Sequence, residues 1–101
     1  GPGVGQHGTA SEFGSLKGWT RQQADEFLRS LDPESVRTSR GGYTTYRYPD
    51  RSEVIIGPDG EIDRIPTPMY DDAGQRIKGW RLDESGNLTR AHKSIERLSD
   101  E

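Results

Sequence analysis

The stretch that decides the fold is residues 43–65, which read YTTYRYPDRSEVIIGPDGEIDRI. Its first part is rich in tyrosine and threonine, and an apolar run follows at 54–56; both features favour strands. Proline, aspartate and glycine interrupt the stretch at 49–52 and 57–60, as they do in tight turns. The stretch therefore predicts three antiparallel strands joined by two short turns, and the rest of the chain should pack on them or extend the sheet.

One helix is predicted ahead of these strands. Thr20 is a good N-cap residue, and Gln23 three positions later completes a capping box. The helix should end at Asp32-Pro33, because the residue before a proline disfavours the α conformation. A single apolar face runs along it, formed by Ala24, Phe27, Leu28 and Leu31. The predicted fold class is therefore α+β, with an N-terminal helix packed on a four- or five-stranded antiparallel sheet.

Three later segments repeat one outline, an acidic residue followed by glycine, an aliphatic residue and a basic residue. They lie at 59–64, 72–78 and 83–90. Aspartate near glycine is typical of tight turns, since aspartate bonds the local backbone and glycine accepts positive φ. The pattern predicts three hairpin tips, each leading into a strand.

Composition bounds the domain organisation. The chain has 101 residues, of which 28% are hydrophobic, so one domain with a small core is expected, with Trp19 and Trp80 inside it. Residues 1–15 are rich in glycine and predict a flexible linker, whose end near Phe13–Leu16 is a candidate for docking on the domain, and Gly1-Pro2 has the form of an expression scar. Residues 16–101 form the predicted domain.

Charge and motif content narrow the function classes. The net charge of −3 argues against nucleic-acid binding by bulk positive charge but leaves room for a local basic cleft. The chain has no cysteine and no long apolar run, so neither a disulfide framework nor a membrane span is predicted. No metal signature, nucleotide-binding glycine loop or nucleophilic triad is recognisable, and we predict no metal and no cofactor.

The remaining candidates are cations on or beside predicted strands and one histidine near the end. Cleavage of RNA through its own 2′-hydroxyl needs a base, an acid and cations that stabilise the charge on phosphorus. The His92 imidazole is a candidate for the base or the acid, and the cations are candidates for binding the phosphate. Tyrosine rings can stack RNA bases, so two of them are candidate substrate-binding residues. The phosphate candidates are Lys78, Arg81, Arg47 and Lys93, and the base-stacking candidates are Tyr46 and Tyr48.

Bland interpretations stay open for the same residues. Arginine and lysine alternating along strands are typical of a solvated sheet face. Tyrosines on strands commonly form cross-strand pairs or belong to the core. Position along the chain alone does not separate these alternatives.

The motifs at 46–50, 52–56 and 58–62, with Gly18-Trp19-Thr20 opening the helix, resemble the C-terminal toxin domains of bacterial polymorphic toxins of the contact-dependent inhibition and Rhs type. Among these, the best resemblance is to the ribonucleases that share a fold with barnase, EndoU, the colicin tRNA nucleases and RelE. The chain departs from the family pattern at Arg51, where the family usually has glycine. Residues 91–96 fit the family's terminal histidine beside a hydroxyl residue and an acid, which implies a catalytic role for His92 and a substrate contact for Ser94.

The resemblance implies a metal-independent ribonuclease, acting on RNA such as tRNA, that is secreted as part of a larger effector and works in the cytoplasm of a target bacterium. It also implies a cognate immunity protein as a partner, with the domain a monomer or half of a toxin–immunity heterodimer. Degenerate tyrosine–aspartate repeats at 70–74 and 82–89 resemble Rhs shells, but two copies are too few to build one. The alternative function is a non-catalytic protein-binding module of a secreted bacterial protein.

Overall fold

The computed structural model describes residues 6–91 and 95–99, so His92, Lys93 and Ser94 lie outside the described residues. A 3₁₀ turn at Thr9–Ser11 precedes helix α1, Arg21–Ser30, and eight strands follow. The strands are β1 Ser35–Thr38, β2 Thr44–Arg47, β3 Glu53–Ile56, β4 Ile62–Ile65, β5 Met69–Tyr70, β6 Arg76–Ile77, β7 Arg81–Leu82 and β8 Leu88–Thr89.

One antiparallel sheet has the order β1-β2-β3-β4-β7-β8, and β5 and β6 form a separate two-stranded sheet. The predicted α+β class is confirmed. The predicted strand number was too low, because β7 and β8 extend the sheet beyond β4 to six strands. Within the described ranges, no helix has the length and apolarity that a membrane span requires.

Helix α1 begins as the sequence predicts. The Thr20 side chain accepts a hydrogen bond from the Gln23 backbone N–H, and the Gln23 side chain accepts one from the Thr20 N–H. Leu28 is fully buried against the sheet, as is Ala24 one turn earlier. The Trp19 ring packs edge-on against the Phe27 ring at 5.4 Å, which closes the start of the helix over its apolar face.

Five hairpin turns share one geometry. In each turn, the residue before a three-residue loop donates its N–H to the carbonyl of the residue after the loop. The last residue of the loop donates its N–H to the carbonyl of the residue before the loop, and this last loop residue has a positive φ. This is a type I turn followed by a left-handed residue, a common hairpin connection. The three predicted tips are among the five turns, which lie at 39–43, 48–52, 57–61, 71–75 and 83–87. Glycine occupies the left-handed position in four of them; in the turn at 48–52 that position is Arg51, with φ 70°.

The inner face of the sheet, which α1 covers, holds the core. Tyr46 and Tyr48 are 2% and 0% exposed, and their hydroxyls donate to Asp25 Oδ1 at 2.6 Å and to the Leu28 carbonyl at 2.7 Å. The expectation that these rings stack an RNA base is therefore wrong: neither ring face is open to a ligand. Burial, and then the bond to Asp25, raises the pKa of Tyr46, while that same bond is the main cause that lowers the pKa of Asp25.

A charged residue, Arg64, lies at the centre of this inner face. It is 1% exposed, and all five of its N–H groups are used. Nε and Nη2 bind the two carboxylate oxygens of Glu96, which is also buried. The other donors reach backbone carbonyls of the N-terminal segment, at Ala10, Phe13 and Gly14, at 2.7–3.1 Å. Arg64 therefore joins the sheet, the N-terminal segment and the C-terminal segment.

The N-terminal segment is part of the domain, so the prediction of a flexible linker over 1–15 was wrong for the described part, which begins at residue 6. Ala10 and Leu16 are buried, and the Leu16 N–H donates to Glu96. Asp50 accepts hydrogen bonds from both the N–H and the hydroxyl of Thr9. Partial burial raises the pKa of Asp50, but its hydrogen bonds from Ser52 and Thr9 outweigh this and hold it below its ordinary value. The glycine content gave no signal that the residues around Thr9 and Ala10 pack on the sheet.

Candidate functional site

The face of the sheet opposite α1, here called the outer face, carries a line of mostly charged residues across the strands. The strand register pairs Arg47 with Glu53 and Glu53 with Ile65. The pairing of Arg64 with Leu82 then places Arg81 next to Ile65. We call Arg47, Glu53, Ile65 and Arg81 the outer row. None of the described outer-face residues of β1 to β4 is fully buried, so this row is accessible to a ligand.

The carboxylate of Glu53 is the acidic centre of the outer row. Arg47 Nε lies 3.7 Å from Glu53 Oε2 and 3.6 Å from Glu34 Oε2. The side chains of Arg47 and Glu53 are 48% and 26% exposed, so both are open to an incoming group. These residues border an open cavity of about 530 Å³, which is also lined by Ser35, Arg37 and Thr45. Two carboxylates, two hydroxyls and two guanidinium groups therefore meet at one surface.

A second cavity, here called the basic cleft, lies at the other end of the row. Its volume is about 240 Å³, and residues 65–69 and 76–81 line it. It contains three cations, Arg76, Lys78 and Arg81, and no carboxylate among the described lining residues. Within the described ranges none of these cations forms a salt bridge. The cleft shares Ile65 and Arg81 with the outer row, so the two are continuous.

Trp80 forms one wall of the basic cleft. It is half-buried and lies outside the hydrophobic core, so the expectation that Trp80 is a core residue was wrong. The Arg90 guanidinium carbon lies 4.2 Å from the centroid of the Trp80 ring, a cation–π contact that fixes the indole. Gly79, with φ 92°, allows the close approach, because a Cβ there would lie 3.2 Å from Arg90 Nη1.

A third cavity, of about 210 Å³, lies beside the cleft. Arg81 lines both cavities. Ala91 and Ile95, the described residues nearest His92 in the chain, also line the third cavity. The two ends of the segment that contains His92 therefore lie close to Arg81.

The structure brings some of the predicted site residues together and separates others. Lys78 and Arg81 share the basic cleft, as the prediction of a phosphate site needs. Arg47 lies on the same face but three strands away, about 14 Å at the usual strand spacing. It does not contact those two cations and instead is paired with Glu34 and Glu53. His92, Lys93 and Ser94 lie outside the described residues and stay predictions.

Sequence reasoning missed Glu53 and the role of Trp80. The signal for Glu53 was available: it directly precedes Val54, and alternation places it opposite that core residue, on the face of Arg47. Trp80 gave no such signal, because the wall it forms depends on how the β5–β6 hairpin folds back. No group of three or more histidine, cysteine, aspartate or glutamate residues in the described part of the chain is placed to hold a metal ion.

Comparisons with protein families, with curated proteins and with solved structures found no match to this chain.

Proposed function

We propose that this chain is a metal-independent endoribonuclease of barnase/RelE-like fold that binds RNA across the outer row. The observation that carries the proposal is the arrangement of charge on that row. On this row the Glu53 carboxylate lies between Arg47 on one side and the basic cleft with Arg81 on the other. The other carboxylate paired with Arg47, Glu34, precedes β1 and lies outside the row. Cations on both sides of the general base can bind the phosphates of an RNA strand that continues past the cleaved bond.

In the proposed reaction the Glu53 carboxylate removes the proton of a 2′-hydroxyl, and the 2′-oxygen attacks the adjacent phosphorus. The bond from phosphorus to the 5′-oxygen breaks, so the products are a 2′,3′-cyclic phosphate and a 5′-hydroxyl. Arg47, 3.7 Å from Glu53, would neutralise the charge that builds on the phosphate oxygens. General-base catalysis of this kind contributes about 10²–10⁴-fold in rate.

The leaving 5′-oxygen needs a proton, and His92 is the predicted acid. Its support is indirect: Ala91 and Ile95 line a cavity together with Arg81. Lys78 and Arg81 would hold the phosphate on that side, Arg81 with the bidentate geometry that guanidinium groups offer to phosphate. The predicted catalytic residues keep phosphate-binding roles in this proposal: Arg47 and Arg81 at the two ends of the outer row, and Lys78 in the adjoining basic cleft.

The test is RNA cleavage in the presence of a chelator. Wild-type protein incubated with total tRNA and with unstructured RNA should yield fragments that end in cyclic phosphate. Glu53→Gln should lower the rate by about 10²–10⁴-fold, because it removes the base and keeps the size of the side chain. Glu26→Gln, on the exposed side of α1, is the matched control and should cleave like wild type. Intact RNA at high protein concentration, or equal rates for the two variants, would reject the proposal.

A second candidate, a non-catalytic protein-binding module, is favoured by one observation. Arg47 is paired with both Glu34 and Glu53, and such charge compensation is typical of a solvated antiparallel face. Expression in a bacterial cytoplasm separates the candidates. As a secreted toxin domain held in check by an acidic immunity protein, the wild-type chain should arrest growth and Glu53→Gln should not. Undisturbed growth with soluble wild-type protein would favour the binding module.

A further inference from the structure

We infer that the basic cleft is a subsite for a single nucleotide of the RNA strand, with Trp80 contacting the base and Arg76 and Lys78 holding the phosphate. The inference rests on the proposed function for the identity of the strand. It assigns to Arg76 and Trp80 a binding role and to the cleft a distinct task, namely holding a nucleotide next to the cleavage position.

Charge is the first argument. The described chain is acidic overall, yet the cleft concentrates three cations on eleven lining residues without a carboxylate. Elsewhere on the surface, Arg29 and Arg47 are paired with aspartate or glutamate. Arg37 and Arg40 have no ion pair among the described residues, and the cleft differs in holding three unpaired cations together. Like charges placed together without compensation cost free energy, and a bound phosphate removes that cost. The cleft is therefore suited to an anion.

The walls of the cleft are the second argument, because a bare anion would not need them. The lining of the cleft includes the Trp80 indole, the Met69 thioether and two prolines, Pro66 and Pro68. Indole rings stack well on nucleobases, and thioether groups contact rings favourably. Because Arg90 stacks on the Trp80 ring, the indole is held before any ligand arrives, and less ordering entropy is lost on binding.

Size and position are the third argument. A volume of about 240 Å³ lies just below the ~300–1,000 Å³ typical of drug-sized ligand sites, which suits one nucleotide inside the cleft. The strand must leave the cleft at Ile65 and Arg81, which also belong to the outer row. From there the row continues to Glu53, the residue on β3 that is paired with Ile65.

The experiment uses the whole chain and an uncleavable probe, adenosine 5′-monophosphate. The two indole N–H signals of Trp19 and Trp80 are observed by ¹⁵N NMR and assigned with Trp19→Phe. Adenosine 5′-monophosphate should shift the Trp80 signal saturably and leave Trp19 unchanged. Adenosine and inorganic phosphate should each bind at least tenfold more weakly, since each lacks half of the contacts.

The double variant Arg76→Ala/Lys78→Ala should weaken nucleotide binding by more than tenfold, because it removes both charged groups that hold the phosphate. The control Lys17→Ala/Arg40→Ala removes the same charge from exposed sites outside the cleft and should bind like wild type. In RNA cleavage the first variant should raise KM more than it lowers kcat.

The outcomes separate this inference from the proposed function. No saturable shift of Trp80, equal weakening by both double variants, or phosphate binding as tightly as the nucleotide would overturn the subsite. Suppose instead that the wild-type protein binds the mononucleotide, but Arg76→Ala/Lys78→Ala leaves the KM for RNA unchanged. The cleft would then be a site for a free nucleotide, and the subsite would also be overturned. Nucleotide binding that behaves as expected in a chain that cleaves no RNA would instead reject the ribonuclease and leave the nucleotide site standing.

Discussion

The two faces of the six-stranded sheet use arginine in opposite ways. On the inner face Arg64 is 1% exposed, and every N–H group has an acceptor within the protein. On the outer face Arg47 keeps 48% of its side chain exposed and makes two long ion pairs, and Arg81 lines a cleft. An arginine with no donor left holds the fold together, whereas one with donors to spare is available to a ligand. The arginine of the inner face is therefore a structural residue, and those of the outer face are candidates for binding a ligand.

The largest expected effect follows from breaking the inner face. Arg64→Met should destabilise the domain by about 3–5 kcal/mol, because it removes the guanidinium that pairs with the buried Glu96 carboxylate. The matched outer-face change, Arg37→Met, should alter stability by less than about 0.5 kcal/mol. Both are measured by denaturant unfolding. A loss below about 1 kcal/mol for Arg64→Met would show that the two faces do not differ in this way.

The double variant Arg64→Met/Glu96→Leu sharpens the same point. With both charges removed, its destabilisation should be clearly smaller than the sum of the two single changes, since no unpaired buried charge remains. Simple additivity of the two changes would contradict direct pairing as the source of the effect.

A smaller effect is expected where the N-terminal segment meets the sheet. The pKa of Asp50 is lowered in the folded protein, so its contribution to stability is present above the ordinary aspartate pKa of about 3.9 and is lost as pH falls below it. Asp50→Asn should therefore lower stability at neutral pH and flatten its dependence between about pH 5 and 2. Asp25, whose pKa is also lowered, keeps part of the dependence in that variant. Unfolding curves measured across this pH range test this prediction. If Asp50→Asn is as acid-sensitive as wild type, the contact of Asp50 with Thr9 does not contribute to stability in this way.

The smallest expected effect concerns the turn at 48–52. Arg51 occupies a left-handed position that costs a non-glycine residue about 1–2 kcal/mol, so Arg51→Gly should stabilise the domain by about 0.5–1 kcal/mol after the entropy cost of glycine. Gly74→Ala is the control, because Gly74 has the same turn geometry and open space around its Cβ position. It should destabilise the domain by about 1 kcal/mol. Changes of the same sign at both positions would show that φ does not govern them.

Turn chemistry and helix capping made much of the fold readable from sequence. All three predicted tips are turns with a glycine at positive φ. In two of them an aspartate accepts two backbone N–H bonds: Asp83, as predicted, and Asp71, one residue before the predicted Asp72. Thr20 and Gln23 act locally in the same way. Such interactions lie within a few residues, so the sequence contains them in full.

The site was less predictable because it depends on distant pairings. Arg64 and Arg81 both lie on strands and look alike in sequence, and only the fold shows that one meets Glu96, Ala10 and Phe13. Tyr46 and Tyr48 resembled base-stacking rings until α1 was seen to cover them. The basic cleft forms only because the β5–β6 hairpin brings residues 65–69 close to residues 76–81.

The proposed function requires RNA to bind the outer face of the sheet and not the inner face. The most direct measurement is ¹⁵N NMR of the Glu53→Gln protein titrated with a short single-stranded RNA, which this variant should bind without cleaving. We expect the largest backbone shifts along the outer row and the cleft, at Arg47, Ile65 and Arg81, and small shifts along α1. Shifts confined to α1 or to the 3₁₀ turn, or no saturable shift on the sheet at all, would contradict the account.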